Sequence, residues 1–241
     1  MITLFVNASQ VVTCAGSARG RRGTEMNDAA VRTDVAVAVA SGSIAGVGSI
    51  ADLRSRFAGA EEFDCEGGVL TPGFVDSHTH GVFGKLRYDE QELRAAGLDY
   101  MEIARRGGGI HSSVRDLRQR SEDELFELAE RRLRRLASFG TTTVEVKSGY
   151  GLTLEDELKT LRVIARLAKA LPLRIVPTFL GAHEIPLEHR TSSAARRDYI
   201  DLLVREMIPA VARDRLAVFA DVFCETGVYT VDETREISVA D

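Results

Sequence analysis

The sequence predicts an α/β fold: a partial TIM-type (β/α) barrel of about four βα units, preceded by a small N-terminal β-sandwich segment. Three observations carry this reading. After Val69, apolar strand-like runs alternate with helix-like runs, the order of a parallel sheet built from βα units. Those strand-like runs end in polar or reactive residues: His78-Thr79-His80, Lys147-Ser148-Gly149-Tyr150, Gly181-Ala182-His183 and Cys224-Glu225. Reactive groups at the C-terminal ends of parallel strands mark the working face of such a barrel. Before Val69 the runs are short, β-branched and separated by turn signals.

Residues 1–63 are expected to form the β-segment. Met1–Val6 and Val11–Cys14 read as strands, and a polar, Gly/Arg-rich loop follows from Gly16 to Asp28. Asp34–Val39, the turn Ser41-Gly42-Ser43 and Ile44–Gly48 predict a hairpin. Residues 64–241 are expected to form the first half of the barrel. Val69–Val75 is its first strand, and Tyr100–Arg106 a short helix stopped by Gly107-Gly108-Gly109. Ser121 to Phe139 is an amphipathic helix opened by a capping box, Ser121 with Glu124, and closed before Gly140. Thr141–Val146 is a strand, Leu154–Ala170 a helix ended by Pro172, and Arg174–Leu180 a third strand. Ala194–Val211 is helical, Ala217–Cys224 a fourth strand, and Val231 begins a further helix. A complete barrel needs eight strands and about 250 residues; Val69 to Asp241 supplies 173. A doubly wound open sheet is the alternative, and it is disfavoured because no GxGxxG follows the first strand.

Composition excludes several classes. The 241 residues are 44% hydrophobic and 28% charged, with a formal charge of −5, so no nucleic-acid footprint is expected. The basic run Arg131-Arg132-Leu133-Arg134-Arg135 reads as a solvated helix face. No basic leader and no stretch of about 18 apolar residues occurs, so no membrane partner is expected and a cytoplasmic location is the natural reading. Cys14, Cys65 and Cys224 are odd in number and widely spaced, and read as small core residues rather than as disulfide or zinc ligands.

The sharpest chemical feature is Asp76-Ser77-His78-Thr79-His80. Residues i and i+2 of a strand point the same way, so His78 and His80 can offer two imidazoles to one metal ion. A catalytic site usually takes three protein ligands and leaves room for water, and no second tight pair is present. His183, after the third strand, is better placed to touch substrate than metal, and His189 reads as an exposed residue in a charged stretch. Arg87 could hold a carboxylate through two hydrogen bonds, or lie on the surface. Tyr150 sits between glycines that let the backbone pass close to a ligand, or it packs.

Together these motifs resemble the amidohydrolase superfamily, and within it the imidazolonepropionase family. Thr71–His80 is similar to the superfamily's first barrel strand. Four further segments, Glu102–Ile110, Thr142–Leu152, Thr178–His183 and Asp221–Glu225, in that order and spacing, resemble imidazolonepropionases specifically. The resemblance implies hydrolysis of the ring amide of 4-imidazolone-5-propanoate to N-formimidoyl-L-glutamate, in histidine degradation, by water activated on one divalent ion, zinc or iron. It implies that His78 and His80 are metal ligands, that Arg87, Tyr150 and His183 contact the small-molecule substrate, and that His183 acts catalytically. Arg87 would suit the propanoate, Tyr150 a phenolic hydrogen bond, and His183 polarisation of the ring carbonyl. The family tends to dimerise, so a homodimer is a further expectation. The family's N-terminal strands form a composite sandwich with its C-terminal ones, and its remaining metal ligands and acid–base residue lie on later strands, which implies positions past Asp241. Gly84-Lys85-Leu86-Arg87 departs from the more usual Gly-Gly before this arginine, and His111 replaces a small apolar residue. Another cyclic-amide hydrolase, a deaminase, or an inactive half-barrel are the alternatives.

Overall fold

The computed structural model describes residues 1–99, 102 and 108–239. It divides into two compact units, Met1–Gly73 and Phe74–Asp241.

The first unit is built on alternation. Strand β1 (Ile2–Val6) buries Leu4 and Val6 on one face and turns Phe5 to the other. After β2 (Gln10–Val12) and β3 (Val31–Arg32), strand β4 (Ala36–Ala40) and β5 (Ser43–Gly48) form the expected hairpin. Its turn residues Ser41 and Gly42 both have positive φ, the requirement of a two-residue turn that follows the strand twist. A helix not expected from the sequence follows, α1 (Ile50–Arg56), whose N-cap Ser49 accepts from the Asp52 amide. With β6 (Glu61–Asp64) and β7 (Val69–Leu70), two sheets result, ordered β5-β4-β1-β6 and β3-β2-β7. Leu4, Val6, Ala36 and Ala38 pack on Leu53 of α1, and Val37 and Phe5 face Val11 and Leu70 of the second sheet.

The second unit is a four-stranded, all-parallel sheet ordered β11-β10-β9-β8. The single strand expected over Val69–Val75 is instead two: β7, and β8 (Phe74–Asp76), which pairs with a different sheet. Thr71-Pro72-Gly73 separates them, because proline cannot donate to a ladder and glycine loosens it. Helices α2 (Tyr88–Ala95) and α3 (Ile110–Gln119) follow. The helix expected over Tyr100–Arg106 lies, apart from Glu102, outside the described residues.

Helix α4 (Glu122–Ser138) has the capping box foreseen, Ser121 with Glu124, and buries Leu125, Ala129 and Leu133. Strand β9 (Thr141–Lys147), helix α5 (Leu154–Ala170) and strand β10 (Arg174–Ala182) match the expected order. The long helix expected over Ala194–Val211 is α6 (Ser193–Leu202) and α7 (Ile208–Asp214), joined by a π-turn over Leu203–Met207. Pro209 explains the turn: its missing N–H cannot bond the carbonyl four residues back. Strand β11 (Phe219–Val222) and α8 (Val231–Val239) complete the unit. Its core joins Val144 and Val146 of β9 to Leu125 and Leu133 of α4 and Leu161 and Ile164 of α5.

Three smaller expectations are corrected. Arg132 is not a solvated charge: it leaves its basic run to donate to the carbonyls of Gly81, Phe83 and Gly84 and lies over the Phe83 ring at 3.5 Å. Burial lowers its pKa to about 10. Cys14 and Cys224 are exposed and Cys65 is intermediate, so none sits in the core; Cys14 occupies a left-handed turn position and Cys224 a loop beyond β11. His189 is half-buried, with Nδ1 2.8 Å from the Ala195 carbonyl.

Candidate functional site

The parallel strands deliver four rings to one place. His78 and His80 follow β8, Tyr150 follows β9, and His183 follows β10. His80 is central: its ring centre lies 5.7 Å from His78, 5.3 Å from Tyr150 and 4.9 Å from His183, against which it stacks. Tyr150 and His183 are 5.3 Å apart, and Phe223, beyond β11, meets His183 edge-on at 6.1 Å. Arg87 stands at the N-terminus of α2 and shares with His80 and Tyr150 a cavity of about 320 Å³ that Phe83, Lys85 and Ser113 also line. Glu90 lies 3.6 Å from Arg87 and accepts from the Gly109 amide at 2.7 Å. All five residues singled out in the sequence therefore face one region.

The histidines differ in their environments. His78 is exposed, whereas His80 is largely buried and its Nδ1 has no hydrogen-bond partner. Burial, reinforced by neighbouring His183, His78 and Lys147, lowers the His80 pKa to about 4, so the ring is neutral at pH 7. A neutral imidazole with an orphaned nitrogen is the form that binds a metal. Two imidazoles on one tetrahedral ion place their ring centres about 5 Å apart, close to the separation found. The pair thus fits two ligand positions. Among the described residues no group of three His, Cys, Asp or Glu side chains is placed to hold a metal ion.

His183 presents the opposite polarity from that expected. Its Nδ1 lies 2.8 Å from the Gly149 carbonyl oxygen, which can only accept, so Nδ1 carries the proton. Burial, which outweighs the opposing pull of that carbonyl, lowers its pKa. In the neutral ring this tautomer leaves a lone pair at Nε2. In that form it can accept an N–H or take a proton at Nε2.

Sequence reasoning assigned no role to the charged residues beside the rings. The Glu145 carboxylate accepts from the Thr79 amide at 3.1 Å, and its backbone carbonyl accepts from the Thr79 hydroxyl at 2.6 Å. The residue between the two histidines is thus held by β9. Lys147 reaches Glu145 at 2.8 Å and Asp221 at 2.9 Å. Burial works against the Lys147 ammonium, but the two carboxylates outweigh it and raise its pKa; the same ammonium outweighs burial at Asp221 and lowers that one. A signal was present: Glu145 and Lys147 are charged at i and i+2 and alternate with Val144 and Val146, hence on one face.

No protein-family model matches the chain. It is 46% identical over 236 residues to the imidazolonepropionase of Clostridium tetani and 51% identical over 238 residues to that of Symbiobacterium thermophilum. Each alignment covers 97% of this chain and 55% of the relative. The chain spans about half the length of the curated relatives it matches. Among solved structures it is similar to guanine deaminase from Bradyrhizobium japonicum, with a TM-score of 0.58 at 16% identity over 99% of this chain and 46% of that one. An adenosine deaminase from Xanthomonas campestris, described with bound zinc, gives 0.52 at 20% identity over 90% and 42%. These likenesses agree with the fold expected, a partial (β/α) barrel. The sequence relationship to imidazolonepropionases extends over nearly the whole chain.

Proposed function

We propose that this chain, a sequence relative of the imidazolonepropionases, carries the strand-end face on which such an enzyme opens the ring of 4-imidazolone-5-propanoate to N-formimidoyl-L-glutamate. In that reaction the oxygen of water adds to the ring carbonyl carbon, the ring C–N bond breaks, and the nitrogen leaves with a proton. His78 and His80 would hold one divalent ion, zinc or iron. When bound, such an ion lowers the pKa of a coordinated water to about 7. Arg87 binds the propanoate with a guanidinium, which suits a planar carboxylate. His183 accepts a ring N–H at Nε2, which orients the ring, and Tyr150 supplies a phenolic O–H. Phe83 and Phe223 give the site apolar walls.

The observation that carries the reading is the meeting of His78, Tyr150 and His183 around the His80 ring, with Arg87 on the same cavity as His80 and Tyr150. The test is turnover of 4-imidazolone-5-propanoate, with added zinc, by the protein extended to the length of its curated relatives, followed by loss of imidazolone absorbance. Turnover abolished by His78→Ala supports the proposal. Turnover that survives this substitution, or preference for a dihydropyrimidine or an aminopurine, overturns it.

A further inference from the structure

Beneath the four rings lies a buried acid. Glu157 is fully buried in the first turns of α5, where the helix N-terminus favours negative charge. Its carboxylate is spent on the loop that carries Tyr150. One oxygen accepts from the amides of Gly151 and Leu152, both at 2.8 Å, and the other from the amide of Gly149 at 3.0 Å. The Ser148 hydroxyl also hydrogen-bonds it, and Ser148 Oγ in turn accepts from the Leu180 amide of β10 at 3.0 Å.

The loop cannot reach this arrangement by sterics alone. Gly149 has φ +107°, and a Cβ there would stand 2.7 Å from the Leu180 carbonyl and 3.0 Å from His183 Nδ1. A Cβ on Gly151 would meet the backbone of Asp156 and Glu157 at 2.6 Å. Glycines remove the obstacles but fix nothing, since they leave the backbone many conformations. The carboxylate supplies what they lack, by tying three amides of one turn to a single rigid point on a helix.

We infer that Glu157 is the positioning residue of this site: by holding the Gly149 and Gly151 amides it sets the Tyr150 ring, and through the Gly149 carbonyl it fixes which nitrogen of His183 faces the ligand. The inference rests on the substrate site proposed above only for the identity of that ligand. Its chain of contacts is short. Glu157 holds the Gly149 N–H, the Gly149 C=O holds His183 Nδ1–H, and His183 Nε2 is left as an acceptor.

Glu157→Gln is the direct probe. An amide keeps one acceptor oxygen for Gly151 and Leu152 but turns an NH₂ toward the Gly149 N–H, donor against donor. In the full chain labelled with ¹⁵N-histidine, His183 is assigned by the signal lost in His183→Asn. The wild-type ring is expected to show the Nδ1–H tautomer above neutral pH. In Glu157→Gln the tautomer ratio should move by about fivefold toward Nε2–H, the weight of one ordinary hydrogen bond. Circular dichroism reports whether the fold is kept. If Glu157→Gln does not fold, Glu157→Asp, which keeps the carboxyl group and retracts it by one methylene, is read in the same way. A wild-type tautomer in a folded variant overturns the inference. Failure of both variants to fold assigns Glu157 to stability alone and also overturns it. The readout needs neither metal nor turnover. A chain with the expected tautomer shift that does not act on 4-imidazolone-5-propanoate would sink the proposed reaction and leave the role of Glu157 standing.

Discussion

Replacing Lys147 with methionine tests how far the strand-end geometry depends on one ammonium. The Lys147 side chain is 6% exposed and meets Glu145, 11% exposed, at 2.8 Å and Asp221, 44% exposed, at 2.9 Å. Methionine fills most of the same volume, so the loss is electrostatic rather than a cavity. Stranding one member of a buried pair costs about 3–5 kcal/mol. Glu145 keeps the Thr79 amide, which places the cost toward the lower end, about 3 kcal/mol. The Asp221 contact faces solvent and adds about 1 kcal/mol or less. The folded pKa of Lys147 is raised, so its contribution is fully present below the ordinary lysine value of 10.5 and fades as pH rises through the higher folded value. Urea titrations should therefore show a deficit of about 3 kcal/mol for Lys147→Met at neutral pH, and about 1 kcal/mol or less for Asp221→Asn. A Lys147→Met deficit under about 1 kcal/mol, or equal deficits for the two variants, would refute the reasoning.

Other expectations follow from single contacts. His80→Ala should weaken zinc binding by about tenfold or more in calorimetry, with His189→Ala unaffected; equal effects would remove the His78–His80 pair as the ligand site. Gly149→Ala forces a side chain into a positive-φ position against the Leu180 carbonyl and should cost about 1–3 kcal/mol, read as a fall in melting temperature; an unchanged melting temperature contradicts the geometry. Hydrogen bonds from Arg196, aided by Thr230, hold the Glu233 pKa at about 2 against burial. The stability this adds is complete above 4.5 and is lost as pH falls through about 2. Arg196→Ala should thus unfold at higher pH in an acid titration, and a wild-type gap that persists below pH 2 would show another cause.

The ends of the barrel strands were legible because apolar runs and reactive endings coincide. The motif Asp76–His80 needed only the two-residue period of a strand to bring two imidazoles together. Helix α4 was legible because Ser121 and Glu124 announce its start and Gly140 its end. What stayed hidden lies in partnerships that sequence distance conceals. Glu157 belongs to a helix whose other acidic residues, Glu155 and Asp156, read as ordinary first-turn acids, and only the fold shows that it is the buried one. The tautomer of His183 depends on a carbonyl 34 residues away. Helix α1 was obscured because seven residues are too few to develop a clear period, although Ser49 and Asp52 mark its start.

The register of the sheet explains why Lys147 rather than a shorter cation serves here. Lys147 of β9 lies opposite Thr178 of β10, and Thr178 lies opposite Phe219 of β11, two residues before Asp221. The ion pair therefore crosses an intervening strand and climbs two residues along the next one. Neighbouring strands are about 4.8 Å apart, so the span from β9 to β11 approaches 10 Å before that climb. A four-carbon stem and an aspartate reach across it only if the residue between them is small and the strands turn their faces toward each other. Thr178 meets the first condition: it is buried, lines the same cavity as Glu145, Lys147 and Asp221, and leaves its hydroxyl without a hydrogen-bond partner. A bulky side chain at 178 would stand beneath the pair and prise Lys147 from Asp221. The same ammonium pairs with the Glu145 carboxylate that accepts from the backbone between His78 and His80. Charge pairing across the sheet and placement of the two imidazoles thus meet at one lysine.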